Sequence, residues 1–126
     1  MPAVTKLGRV MVPVSDQDAA IAWYADKLGF TLVTDIPFGD GDRWVEIAPP
    51  GGGATIALVP PQGEYGTGRN TGIALDTTDA RGDHAALKAK GVDVEEELMG
   101  GDGTVPLLFF FKDGDGNQLM VVEAQT

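Results

Sequence analysis

Side chains able to do chemistry are scarce in this chain of 126 residues. It has no cysteine, which removes disulfides, thiolate metal sites and cysteine nucleophiles together. The single histidine, His84, stands in Asp83-His84-Ala85-Ala86-Leu87, inside a segment of helical pattern. A lone helical histidine beside an aspartate reads as a surface or packing residue, because a general base needs a substrate within reach. Asp113-Gly114-Asp115-Gly116-Asn117 looks superficially like a calcium loop. That loop requires Gly at its sixth position and Glu at its twelfth, where this chain has Gln118 and Ala124. The run reads instead as a polar hairpin turn. Pro49-Pro50-Gly51-Gly52-Gly53 lacks the Lys-Ser/Thr and following helix of a phosphate loop, and it too reads as a turn.

The elements around these residues form a repeat. Arg9-Val10-Met11-Val12-Pro13-Val14 is a β-rich run stopped by Ser15-Asp16; 63 positions later Gly72-Ile73-Ala74-Leu75-Asp76-Thr77 is stopped by Thr78-Asp79. Both stops predict helix starts. Ser15 with Asp18 resembles a capping box, and Thr78 or Asp79 caps the second helix. The first helix is expected from about Asp16 to Leu28, with Ile21, Tyr24 and Leu28 on one face, and Gly29 as its left-handed end. The second runs from about Asp79 to Lys90 and ends at Gly91 in the same way. Three strand-like runs follow each helix: Phe30–Asp35, Arg43–Ala48 and Ala54–Val59, then Val92–Glu97, Val105–Phe111 and Gln118–Glu123. Two βαβββ modules, about 7–60 and 71–123, joined by a Gly-rich linker at about 61–70, make a single α+β domain spanning 1–126.

The bulk composition excludes several classes. Nineteen acidic and nine basic side chains leave a formal net charge of −10, which argues against nucleic acid, since phosphate neutralisation needs a basic face. Such a surface attracts cationic partners, and it equally serves solubility alone. No apolar run approaches the roughly 20 residues of a membrane helix, and the N-terminus lacks a signal-peptide layout. The expectation is a soluble, cytoplasmic protein with no membrane partner.

The order and wording of these pieces carry a resemblance. Val14-Ser15-Asp16 opens a helix that ends Trp23-Tyr24 with Leu28-Gly29-Phe30, and Asp113 to Glu123 reads D-G-D-G-N-Q-L-M-V-V-E. From about residue 7 to 123 the chain resembles the glyoxalase/bleomycin-resistance/dioxygenase proteins of the vicinal-oxygen-chelate superfamily. The resemblance implies mixed sheets curled into a cup with the helices outside, and a homodimer. It also implies four metal-ligand positions, which fall here on Arg9, Ala57, Gly72 and Met120. A divalent ion needs imidazole or carboxylate donors, so no metal and no cofactor is expected. The neighbouring positions, Val10, Ile56, Leu58, Ile73, Leu119 and Val121, are all apolar.

If those four positions face the cavity, period-2 alternation places Trp44 and Glu46 beside them, and the repeat offset adds Phe109 and Phe111. The expected ligand-binding wall is then Met11, Trp44, Phe109, Phe111 and Met120. Arg9 and Glu46 supply charge, and Phe38 and Tyr65 on flanking loops close the mouth. The alternative is a closed core with Arg9 and Glu46 as a buried ion couple. A pocket of this kind suits a metal-free binding protein that sequesters an antibiotic or another aromatic or cationic ligand. On that reading, replacing Trp44 or Phe109 with Ala weakens binding without unfolding the chain. The competing function is a glyoxalase-like lyase or dioxygenase-type enzyme on a small metabolite; its metal-dependent form requires ligands the sequence does not show, whereas a metal-free enzyme would use Glu46 as base with Arg9 stabilising an oxyanion. A close Arg9 would lower the Glu46 pKa, against that role.

Overall fold

The computed structural model describes residues 2–124, and these carry two helices and eight strands. They fall into two compact units that divide between Thr67 and Gly68. In unit 1, β1 (Arg9–Pro13), α1 (Gln17–Leu28), β2 (Thr31–Phe38), β3 (Asp42–Ala48) and β4 (Thr55–Val59) form a four-stranded sheet in the order β1-β4-β3-β2. In unit 2, β5 (Asn70–Thr77), α2 (Ala80–Ala89), β6 (Asp93–Val94), β7 (Leu108–Lys112) and β8 (Gln118–Glu123) repeat that order as β5-β8-β7-β6. Each sheet is mixed: its first and last strands pair in parallel, and the other pairings are antiparallel.

Local signals account for both helices. α1 begins after Asp16, whose backbone is extended and whose carboxylate accepts from the Ala19 N–H at 3.0 Å. The expected Ser15 box is therefore corrected by one residue. Gly29, at φ 73°, closes α1 in the left-handed conformation. Asp79 caps α2 through the Gly82 N–H at 2.9 Å, and Gly91, at φ 80°, follows Lys90 at its other end.

α1 buries Ala20 and Tyr24, and the Tyr24 ring lies 5.7 Å from Phe30. The apolar sheet face that lies in register below is Val12, Leu58 and Val45, with Ile47 opposite Ile56, all buried. Gln17 ties the start of α1 to that sheet, donating to the carbonyls of Arg43 and Leu58, each at 2.9 Å. In unit 2, α2 covers Phe109, whose ring meets His84 edge-on at 5.1 Å, together with Val121 in register with it. His84 is thus a packing residue. Its Nε2 also sits 2.6 Å from the Glu95 carbonyl oxygen.

Three strand expectations need correction. β2 runs three residues past Asp35, so Phe38 is the end of a strand paired with Asp42, not part of a loop. β6 keeps only Asp93 and Val94 of the expected Val92–Glu97, because the Val92 N–H is drawn back to the Leu87 carbonyl at the end of α2. β7 starts at Leu108 rather than Val105. Between them Met99 and Leu108 exchange backbone hydrogen bonds of 2.8 and 2.9 Å, and Gly101 donates to Val105. Gly100 is required in that loop: its φ is +74°, and a Cβ there would lie 2.3 Å from the Pro106 carbonyl oxygen.

The Asp113–Asn117 run is the hairpin turn between β7 and β8. Asp113 Oδ1 accepts from the N–H groups of Asp115 and Asn117, while fully buried Asn117 accepts from the Gly68 and Arg69 N–H groups at 3.0 and 3.3 Å. The acidic run is used for turn closure and for anchoring the start of unit 2.

Candidate binding face

Antiparallel and parallel register together decide which side chains share a face. Arg9 stands opposite Thr55, Met11 opposite Ala57, Ala57 opposite Glu46, Glu46 opposite Thr34, and Trp44 opposite Ile36. Phe38 continues the series opposite Asp42. The face of unit 1 turned away from α1 therefore gathers Arg9, Met11, Trp44 and Glu46, the four unit 1 strand residues expected on it, together with Phe38, which was expected on a flanking loop. Tyr65, from the segment after β4, reaches edge strand β1 by donating its hydroxyl to the Met11 carbonyl.

Glu46 is the organising group. It is 9% exposed, and both its oxygens are taken. Oε2 accepts from Arg9 Nε at 3.1 Å and Trp44 Nε1 at 2.6 Å; Oε1 accepts from Thr55 Oγ1 at 2.6 Å. These donors hold its carboxyl below the usual carboxylate range, with the Thr55 hydroxyl contributing most, then the Trp44 indole, and the Arg9 charge after them; burial opposes. Thr55 was missed from sequence, although its alternation with Ala57 would have placed it on this face. The indole bond also fixes the plane of Trp44, whose ring centroid is 5.9 Å from that of Phe38 at a tilt of 57°.

Around this polar centre the face is apolar and open. Met11 is 50%, Ile36 54% and Phe38 59% exposed. Single exposed apolar side chains are ordinary, but several converging on one sheet face mark an interaction surface.

A depressed pKa has a sign. Glu46 contributes stability that is complete above its ordinary pKa of about 4.3 and is lost as pH falls through the lower folded-state value. Glu46→Gln is expected to flatten the loss of stability between neutral pH and the acid side of pH 4. Urea denaturation of both proteins across that window tests this; parallel losses would show that these donors do not hold the carboxylate.

Unit 2 differs from expectation. Met120 lies on its open face, level with Ala74 on β5 and Phe110 on β7. Phe109 and Phe111 do not: they are 0% and 1% exposed, on the face that α2 covers, and their assignment to a ligand wall is corrected. The cause is hairpin length. Eleven positions separate the facing pair Glu46 and Ala57 but ten separate Phe110 and Met120, and a one-residue change turns every side chain over. Phe110 is the aromatic that sequence reasoning missed. An open cleft of about 270 Å³ runs beside β6, with Phe110, Lys112, Asp93, Glu95 and Glu96 among its lining residues.

The four family metal positions present a guanidinium already paired to Glu46, a methyl group, a glycine in the left-handed conformation at φ 73°, and a thioether. This donor set does not fit a divalent ion. Among the described residues no three His, Cys, Asp or Glu side chains cluster as metal ligands, and no helix is long and apolar enough to cross a membrane.

Known proteins share this arrangement of strands and helices. TnmS3, an antibiotic binding protein from Streptomyces sp. CB03234, is 31% identical with a TM-score of 0.84, covering 99% of this chain and 100% of that chain. A superfamily member from Sphaerobacter thermophilus DSM 20745 is 30% identical with a TM-score of 0.86, covering 96% of this chain and 98% of that chain. YetH of Bacillus subtilis strain 168 is 29% identical over 123 residues, 95% of this chain and 99% of its own length. With residues 6–121 also matching that family as a whole, the chain belongs to the glyoxalase/bleomycin resistance protein/dioxygenase superfamily.

Proposed function

We propose that the protein binds an aromatic small molecule, of the antibiotic class, without a metal and without transforming it. The observation that carries this reading is the unit 1 open face, where exposed Met11, Ile36 and Phe38 and half-buried Trp44 share one side of the sheet with a carboxylate organised by three donors. A preformed apolar surface with a few fixed polar groups is how small-molecule sites are built. Similarity to an antibiotic binding protein over nearly the whole chain supports it. Met11 and Tyr65 belong to the same surface, Met120 and Phe110 to a second apolar surface on unit 2. We take the two units to act as one domain of a cytoplasmic homodimer, whose association would shelter these faces from water.

The lyase or dioxygenase alternative lacks comparable support. A general base works best with its pKa raised toward neutrality, and Glu46 is shifted the other way.

The test is titration with aromatic antibiotics, followed through Trp44 fluorescence in a Trp23→Phe background. Saturable quenching with the compound recovered chemically intact is the expected result. Turnover of the compound, or thermal stabilisation by compounds that never perturb Trp44, overturns the reading.

A further inference from the structure

Resting on the reading that the unit 1 face takes an aromatic molecule, we infer that Arg9 selects a ligand carrying an oxygen acceptor, a carboxylate or a carbonyl, and that the site disfavours a cation. The argument is an inventory of donors and acceptors. Glu46, the acid at the centre of the face, has Oε2 shared by Arg9 Nε and Trp44 Nε1 and Oε1 held by Thr55 Oγ1. Its side chain is 12% exposed, and three of its about four acceptor sites are filled, so an ammonium group finds at most one largely buried site, on Oε1, beside the Arg9 charge.

Arg9 is in the opposite condition. A guanidinium has five N–H donors, and among the described residues only the one on Nε finds a partner. Neither terminal nitrogen has a hydrogen-bond partner among the described residues, and half of the side chain is exposed. The remaining donors form a planar fork that matches one or two oxygen acceptors. Arg9 Nε and Trp44 Nε1 both bond Glu46 Oε2, so they lie within the sum of those two bond lengths of each other. A ring system laid on Trp44 therefore comes close to the Arg9 guanidinium.

The overall charge of −10 does not reverse this preference. Asp42, which register places on the same face, is four positions along β3 from Glu46, about 13 Å at strand spacing. That exceeds the roughly 8 Å Debye length at physiological salt. Because the Arg9–Glu46 pair is neutral as a whole, selection comes from free donors more than from net field, so an uncharged carbonyl qualifies as well as a carboxylate.

Calorimetric titration with 2-naphthoate, 2-naphthamide, 2-methylnaphthalene and 2-naphthylmethylammonium at pH 7 separates the possibilities. Naphthoate and naphthamide are expected to bind at least about tenfold more tightly than methylnaphthalene, and the ammonium compound more weakly than either. Arg9→Met should collapse the ratio between naphthoate and methylnaphthalene, and Arg9→Lys should restore it only in part, with circular dichroism confirming that both fold. An ammonium probe that binds as tightly as naphthoate, or an oxygen preference that survives Arg9→Met, overturns the role of Arg9 while leaving the aromatic face intact. If no probe binds, the aromatic site itself falls, and this inference with it.

Discussion

Phe109→Ala is expected to destabilise the protein by about 3–5 kcal/mol, the range for truncating a fully buried phenylalanine. Phe109 is 0% exposed, its ring meets His84 edge-on at 5.1 Å, and it lies in register with buried Val121 under α2. Truncation removes apolar contacts from both the helix and the sheet and leaves a cavity that a dense core fills only partly. Against a total of about 5–15 kcal/mol for a domain of this size, that is enough to leave a large unfolded fraction in mild denaturant. The neighbouring Phe110→Ala is expected to cost much less, roughly 1 kcal/mol, since Phe110 lies on the open face and is half-buried. Urea denaturation of the two variants side by side checks the strand phase directly. Equal losses would mean that β7 presents its aromatics otherwise, and the original expectation that Phe109→Ala affects binding without unfolding would regain its basis.

Trp44→Ala should act in the opposite sense: little change in stability, and a loss of about 10–100-fold in affinity for an aromatic ligand that the native protein binds. Trp44 is half-buried at the middle of the unit 1 face, so its removal opens no internal cavity. It offers the largest flat apolar surface there, and its indole nitrogen is already satisfied by Glu46 at 2.6 Å. A ligand stacking on the ring therefore strands no polar group. Phe38→Ala, at the more exposed neighbouring ring, should lose less. Affinity unchanged in Trp44→Ala, with the fold intact by circular dichroism, would place the ligand elsewhere.

These two expectations separate what was legible before the fold was known from what was not. The helix ends were legible because caps are local: a carboxylate reaching an N–H three residues on, as from Asp16 to Ala19, or a glycine that tolerates φ 73°, as Gly29 does, needs no distant partner. The membership of the unit 1 face was legible as well, because alternation along β1, β3 and β4 puts Arg9, Met11, Trp44, Glu46 and Ala57 on one side whatever covers the other. The same alternation failed in β7. Its phase depends on how many residues the Asp113–Asn117 turn consumes, and a turn one residue shorter than its counterpart sends Phe109 and Phe111 inward and Phe110 outward.

From the sequence alone, then, came the α+β class, the two βαβββ modules and one of the two faces, all consequences of local pattern and residue chemistry. The condition of Glu46 came only from tertiary structure. Its three donors arrive from β1, β3 and β4, and a carboxylate that sequence could read equally as a base, a cation trap or half of an ion couple becomes an acceptor with both oxygens occupied. Hydrogen-bond satisfaction depends on register across three strands, and register is fixed by how turns and packed faces close together rather than by any one segment.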